Sequence, residues 1–376
     1  MTGSGAGFPK RVALVHYWLV SMRGGERVLE RLLNLFPGAD IFTHVYDPDR
    51  VSETIRNANV HQTFVGRLPG ARKHYQKYLP LMPMALEELD LRDYDLVISS
   101  ESGPAKGIIT RNDALHLCYC HSPMRYLWDH YHDYKSAAGT LSRFMMPTMF
   151  HRLRQWDVSS ASRVDTIMAN SSFIARRVRK VWGREARVVH PPVAVDAFSP
   201  SAQVSDRYLW VSQMTPYKRA DIALEAFNRL GVPALMVGDG EMHAYVQRHA
   251  GPNVEVRKRL SFEELKQAYA TCRALVFTPE EDFGIVPVEA NASGRPVVAY
   301  GHGGVTDSIV DGVTGLFFEK QSVDALCDAI ERLERWLPGF DPQVAVANAA
   351  RFAPEVFDRG IMETLDALRL TERCRA

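Results

Sequence analysis

The chain is expected to fold as two doubly wound α/β domains, and three observations predict this. Its 376 residues exceed what one ordinary core holds. Short apolar runs alternate with helical patterns along both halves, the βα repetition of a largely parallel sheet. A break from His190 to Pro200, carrying Pro191, Pro192 and Pro200, separates the halves and reads as a linker, after which the alternation restarts.

In the first half, Val12–His16 is an apolar run suited to a buried parallel strand. Gly24-Gly25 precedes a helix over Glu26–Leu33, where Val28, Leu29, Leu32 and Leu33 share one face. Further strands are expected at Asp95–Ser99, Leu115–Cys120 and Thr166–Ala169. In the second half, strands are expected at Tyr208–Ser212, Ala234–Val237, Asn253–Val256, Ala274–Thr278, Pro296–Ala299 and Leu316–Phe318. A helix is expected over Ala220–Leu230. Ser261 and Glu264 form a capping box opening another. Gly238-Asp239-Gly240 and Gly303-Gly304 are turns. The domains are placed at 1–192 and 193–354, with a helix from 355 to 376 returning to the first domain. Met1–Phe8 is a Gly-rich lead-in.

The net charge is +1, so no global field draws nucleic acid, and no nucleic-acid partner is expected. No apolar stretch is long enough to span a bilayer, and no signal-peptide core is present, which favours the cytoplasm. The five cysteines form no CxxC; Cys118 and Cys120 alternate onto one strand face as buried thiols.

The chemistry concentrates at Glu281-Asp-Phe-Gly-Ile-Val-Pro-Val-Glu289. This segment follows an apolar strand and opens a helix. Gly284 lets backbone approach a ligand, and Pro287 suits a first helical turn. Free N–H groups at a helix start favour an anion, and carboxylates accept hydrogen bonds from hydroxyls. A phosphate carrying many hydroxyls, a nucleotide sugar, satisfies both. Asp47-Pro-Asp49 and Asp93-Tyr-Asp95 match a bare D-x-D, but one is a turn and the other leads into a strand, so no metal is expected.

Six separated signals now resemble one family, the retaining glycosyltransferases of family GT4 with the GT-B fold. They are Gly24-Gly25, Cys120-His121-Ser122-Pro123, Asn170-Ser171-Ser172, Pro216-Tyr217-Lys218-Arg219, Gly238-Asp239-Gly240, and Glu281 to Glu289. The likeness covers residues 10–370 and is nearest to the mannosyltransferase-like enzymes of bacterial polysaccharide assembly. It implies two facing Rossmann-like domains with the active site in the cleft between them. The implied reaction moves a hexose, with GDP-mannose the first guess for donor, to a glycan or lipid-diphosphate-linked acceptor. The nucleotide sugar is a substrate, and no cofactor or metal is implied.

By that resemblance His121 lies beside the donor sugar and Lys218 neutralises the diphosphate. Glu281 receives the transferred sugar's hydroxyls and Glu289 the ribose hydroxyls. Phe283, Gly284 and Ile285 offer backbone N–H groups, Arg259 and Leu260 lie near the base, and Gly24 and Gly25 touch phosphate or acceptor. The family's usual arginine is replaced here by Gln213, which cannot supply charge; Arg219 is the candidate substitute. His16, Tyr17, Trp18, Tyr126 and Trp128 are placed around the acceptor. A front-face route, with the leaving phosphate oxygen taking the acceptor's proton, is expected in preference to a carboxylate nucleophile.

Residues 61–84 mix Arg67, Arg72, Lys73 and Lys77 with Phe64, Tyr75, Tyr78 and Leu79. This is either a basic surface helix or a segment lying on an anionic bilayer, which would place the protein peripherally on the inner face of the plasma membrane. A second basic run, Arg176, Arg177, Arg179 and Lys180, reads as a solvated helix face. Two rival functions are a non-catalytic nucleotide-sugar-binding protein and a GT-B epimerase.

Overall fold

The computed structural model describes residues 9–375, so the Gly-rich lead-in lies outside the described residues. The chain divides into two compact units, residues 1–190 with 358–376, and Pro191–Phe357.

The first unit is built on seven strands, β1 (Val12–His16), β2 (Asp40–Thr43), β3 (Val60–Gln62), β4 (Leu96–Glu101), β5 (Leu115–Cys120), β6 (Thr166–Ala169) and β7 (Arg187–Val188), in the order β3-β2-β1-β4-β5-β6-β7. All pairings are parallel. Every residue of β1 and β4 is buried, as expected of strands covered on both faces. Three helices frame the site described below: α1 (Gly24–Leu35), α2 (Thr140–Ala161) and α3 (Ser172–Trp182). Strands β2, β3 and β7 were missed in the sequence; β3 and β7 have only three and two residues, none of them buried, so no apolar run marks them.

Behind β4 and β5 lies a sealed ion network. The Lys106 ammonium sits 3.3 Å from Glu101 Oε1 and also pairs with Asp157, all three side chains fully buried. The Trp128 and Trp182 indole N–H groups donate to Asp157 Oδ2 at 2.8 and 2.9 Å, and the Lys106 ammonium lies 4.1 Å from the Trp182 ring centroid. Burial pulls the Lys106 pKa down, but the Asp157 and Glu101 charges outweigh it and hold the ammonium above its ordinary value.

The second unit carries six strands, β8 (Tyr208–Val211), β9 (Ala234–Val237), β10 (Val254–Arg257), β11 (Leu275–Phe277), β12 (Val297–Tyr300) and β13 (Gly315–Phe318), in the order β10-β9-β8-β11-β12-β13. Again all pairings are parallel. Its helices include α4 (Ala220–Leu230), α5 (Phe262–Thr271), α6 (Ile285–Ala292) and α7 (Val323–Trp336). The Ser261/Glu264 capping box forms as the sequence implies. The proline-rich stretch differs from its expectation: Val193, Val195 and Phe198 are buried in this unit's core, and the Val193 N–H donates to Phe352 O at 2.9 Å. Its apolar residues, spaced between the prolines, find partners that a free linker lacks.

Helix α8 (Pro354–Arg375) closes the chain. In the first unit, Arg31 grips Asp358 through Nε at 2.9 Å and a terminal guanidinium nitrogen at 2.5 Å, and Arg187 pairs with Glu363 at 2.5 Å. Cys118 and Cys120 are fully buried in one cluster, and burial pushes the Cys118 thiol up to about 12. No helix among the described residues is long and apolar enough to cross a membrane.

His44 and His116 are wholly buried, and burial pushes each down to about 3. His44 spends both ring nitrogens, on Thr63 Oγ1 and Pro104 O, each at 3.1 Å. Their folded pKa values lie below the unfolded value, so the unfolded chain binds more protons as pH falls below about 6.5. Stability should therefore fall by up to about 2–3 kcal/mol per pH unit between roughly pH 6 and 4. Urea midpoints measured at pH 7, 5.5 and 4.5 check this; a flat series would contradict it.

Candidate active site

In the first unit the site is built where β1, β4 and β5 end. Register aligns His16 with Ser100, and His121 follows Cys120 at the end of β5. His16 Nδ1 lies 3.0 Å from Ser100 Oγ, and Ser100 Oγ lies 2.8 Å from His121 Nε2. His16 Nε2 is 3.9 Å from Glu26 Oε1, with both side chains sealed from solvent. Glu26 Oε2 accepts the Arg23 N–H at 2.9 Å and closes the start of α1. Burial would raise the Glu26 pKa, but the His16 ring facing it and the backbone N–H groups of Arg23 and Glu26 prevail and the carboxyl is held low.

Gly25 belongs to this cluster. A Cβ there would lie 2.5 Å from the Tyr17 hydroxyl and 3.6 Å from both His121 Nε2 and the His16 ring. A side chain there would have to displace the Tyr17 hydroxyl, so glycine lets α1 start close against it. Gly24 opens the same helix. Burial pushes the His121 imidazole down to about 3, so it is neutral at ordinary pH.

Of the aromatics placed around the acceptor, Tyr17 lies against His16 at a 30° tilt with centroids 4.0 Å apart, and Trp18 meets Tyr75 at 4.7 Å. Trp128 is tied to Asp157, and Tyr126 belongs to the packed cluster around Phe150. Arg177 corrects the reading of its run as a solvated face. It is buried on α3, donates to Ser122 Oγ at 2.5 Å and Pro123 O at 3.4 Å, and pairs with Asp129. Four positive residues in five look like a surface in sequence, yet one of them clamps the turn after His121. Ser171 of the Asn-Ser-Ser signal caps α3, accepting the Ile174 N–H at 3.2 Å.

In the second unit, Lys218 and Glu281 form an ion pair. The Lys218 carbonyl accepts the Thr278 hydroxyl at 2.8 Å, and Thr278 Oγ1 in turn accepts the Trp210 N–H at 3.0 Å. The end of β11 thus fixes the turn carrying Lys218. Glu281 lies in the loop before Gly284, whose φ is 88°, and α6 follows from Ile285. Phe283 is buried against Phe352 with centroids 5.4 Å apart, so its backbone is what remains to meet a ligand. Glu289 accepts the Tyr269 hydroxyl at 2.9 Å.

Gln213 is exposed, and its carbonyl accepts the Thr215 N–H at 2.9 Å. Arg219 adopts φ 56°, in the left-handed region, and its guanidinium forks onto Asp221 with Nε at 3.1 and 3.3 Å and a terminal nitrogen at 2.9 Å. Its charge is thereby matched locally. Arg259 is exposed and Leu260 half-buried beyond the end of β10.

The sequence reading took Gly303-Gly304 only for a tight turn. In the structure this turn braces Glu281: the Gly304 N–H donates to Glu281 O at 2.8 Å, and a Cβ at Gly304 would lie 2.3 Å from Asp282 O. The doubled glycine after a strand was the available signal.

The comparisons with known proteins agree with this architecture. Residues 22–197 match the family described as Glycosyltransferase Family 4, and residues 205–335 match Glycosyl transferases group 1. The chain belongs with the family 4-like glycosyltransferases. It is 32% identical to the D-inositol 3-phosphate glycosyltransferase of Mycobacterium tuberculosis (strain ATCC 25618 / H37Rv) over 216 residues, which are 50% of this chain and 45% of that protein. The chain thus spans less than half the length of the curated relatives it matches. Among solved structures, Anabaena HepE in complex with UDP and glucose is 18% identical, with TM-score 0.68 over 94% of this chain and 99% of that one. Sucrose-phosphate synthase from Thermosynechococcus elongatus is 16% identical, with TM-score 0.69 over 96% and 99%. These likenesses establish a two-domain α/β fold of the GT-B kind.

The Arg177 clamp yields a stability prediction. Arg177→Met should remove the bonds to Ser122, Pro123 and Asp129 and leave the Ser122 hydroxyl only its own bond to Pro123 O, lowering first-unit stability by about 2 kcal/mol in a urea titration. A midpoint unchanged from the parent would show the clamp to be dispensable.

Proposed function

We propose that the protein is a retaining hexosyltransferase using a nucleotide-diphosphate sugar, with GDP-mannose the first donor to try. The observation that carries this reading is the Lys218–Glu281 pair at the mouth of α6. Each partner satisfies the other. A ligand bearing a diphosphate and hydroxyls offers both a substitute: phosphate oxygens for the ammonium, hydroxyl donors for the carboxylate. The HepE structure contains UDP and glucose, which supports a donor of this class on the same fold.

In the proposed reaction the sugar–phosphate bond breaks and negative charge collects on the departing diphosphate. Lys218 and the N–H groups opening α6 stabilise it. The phosphate oxygen takes the acceptor's proton on the face it leaves, so the anomeric configuration is kept. Glu281 and His121 orient sugar hydroxyls, and Glu289 receives ribose hydroxyls. Catalysis is then positioning and charge stabilisation, run without a divalent metal.

The acceptor reading rests on a cavity of about 660 Å³ in the first unit. Arg23, Arg50, Arg72 and Lys73 line it against Asp47 and Asp49, an excess of cations suited to an acceptor carrying phosphate. Residues 61–84 are broken into short helices, not one amphipathic helix: their aromatics turn inward and Arg67, Arg72, Lys73 and Lys77 are exposed. Attachment to an anionic membrane surface would therefore act through charge, at roughly 1 kcal/mol per basic residue near the surface.

A second reading, a binding protein without turnover, is favoured by Gln213 and by the commitment of Arg219 to Asp221. A panel of nucleotide sugars decides. Release of nucleotide with wild type, reduced about a hundredfold in Lys218→Ala, is the expected result, corresponding to about 3 kcal/mol of leaving-group stabilisation. Binding without release, given candidate acceptors, would favour the second reading, and abolition of turnover by EDTA with recovery on Mg²⁺ would contradict the metal-free route. The protein should also pellet with phosphatidylglycerol vesicles at low salt and stay in solution at 0.5 M salt; absence from the low-salt pellet removes the membrane proposal.

A further inference from the structure

We propose that Glu26, His16 and Ser100 form a relay that sets which nitrogen of His121 carries its proton, leaving Nδ1 as a hydrogen-bond acceptor for a sugar hydroxyl. The inference deepens the glycosyltransferase reading and rests on it for the identity of the hydroxyl. Within the relay these three are positioning residues; no proton is transferred along it.

The argument starts from the Ser100 hydroxyl, which has one proton to donate and bridges two imidazoles. His16 Nδ1 lies 3.0 Å to one side and His121 Nε2 2.8 Å to the other. Accepting from both rings would leave its own proton without an acceptor, so it donates to one ring and accepts from the other, and the two tautomers are coupled. If Ser100 donates to His16, then His121 carries its proton on Nε2. If Ser100 donates to His121, that proton sits on Nδ1 and His16 carries its own on Nδ1.

Glu26 breaks the tie. His16 Nε2 is buried without a hydrogen bond of ordinary length, and Glu26 Oε1 is 3.9 Å from it. A bare lone pair facing a carboxylate in a sealed site is repelled, whereas an N–H is attracted. A neutral His16 therefore carries its proton on Nε2, its Nδ1 accepts from Ser100, and Ser100 accepts from His121 Nε2–H. The Nδ1 lone pair of His121 has no hydrogen-bond partner among the described residues. Burial keeps the His121 ring neutral, so the tautomer is what defines its chemistry.

Glu26→Gln gives the sharpest test. The Arg23 N–H holds one side-chain oxygen of residue 26 at 2.9 Å, so the amide oxygen takes that place and the NH₂ faces His16. A donor there favours a bare His16 Nε2 and reverses each link, moving the His121 proton to Nδ1. Proteins labelled with ¹⁵N-histidine report tautomers directly by NMR, with no substrate present. Wild type should show His121 protonated on Nε2 at pH 7. Glu26→Gln should show it on Nδ1, and Ser100→Ala a mixture uncoupled from residue 26. Once a donor is found, Glu26→Gln should lower kcat/KM about tenfold, and Ser100→Thr, which keeps the hydroxyl, should restore what Ser100→Ala loses.

An Nδ1–H or doubly protonated His121 in wild type overturns the relay, and this needs no variant to fold. A His121 tautomer indifferent to Glu26→Gln also overturns it. A tautomer that switches in a protein turning over no nucleotide sugar keeps the relay and removes the glycosyltransferase reading instead.

Discussion

Parallel strand pairing in register is the constraint on which the rest depends. In the first unit it aligns His16 on β1 with Ser100 on β4, and the next strand delivers His121 one residue past its end. Groups far apart in sequence thus meet on one edge of a sheet whose position is fixed by backbone hydrogen bonds. In the second unit β11 ends at Phe277, and the next residue, Thr278, holds the turn carrying Lys218 by its carbonyl. Side chains placed by sheet edges are held more firmly than side chains on free loops.

Charge is handled differently in the two units. The first seals Lys106, Glu101 and Asp157 behind the strands, where an unpaired member would be costly. Glu101 also accepts the N–H groups of Ala105 and Lys106 at 2.9 and 2.7 Å, while its own carbonyl accepts the N–H of His121 at 2.8 Å. The buried network and the site histidine therefore share a residue. The second unit leaves its key pair, Lys218 and Glu281, partly open to solvent at 13% and 21% side-chain exposure. The partner exchange proposed for this pair would need that access.

Much of this was legible in the sequence, for identifiable reasons. Strands with continuous apolar runs, such as Val12–His16 and Leu115–Cys120, were found with the bounds they have. The Gly24-Gly25 pair marked the start of α1 to within two residues, expected at Glu26 and found at Gly24, and the Ser261 cap marked that of α5. What escaped depends on long-range contact. Nothing local marks Ser100 as the bridge between two histidines, because its partners lie 84 and 21 residues away. Arg177 was misread because its burial comes from Ser122, Pro123 and Asp129, none of them near it in sequence. Val193, Val195 and Phe198 were taken for linker because prolines dominate the local signal, while their core partners are distant.

The left-handed backbone at Arg219 carries one more consequence. An L-residue with a side chain at that φ costs roughly 1–2 kcal/mol that glycine would not. Glycine there would ease the chain's path but surrender both the fork to Asp221 and a cation next door to Lys218. At this bend, ease of folding gives way to where charge is held, and anyone stabilising the protein by relaxing its backbone would be editing its electrostatics too.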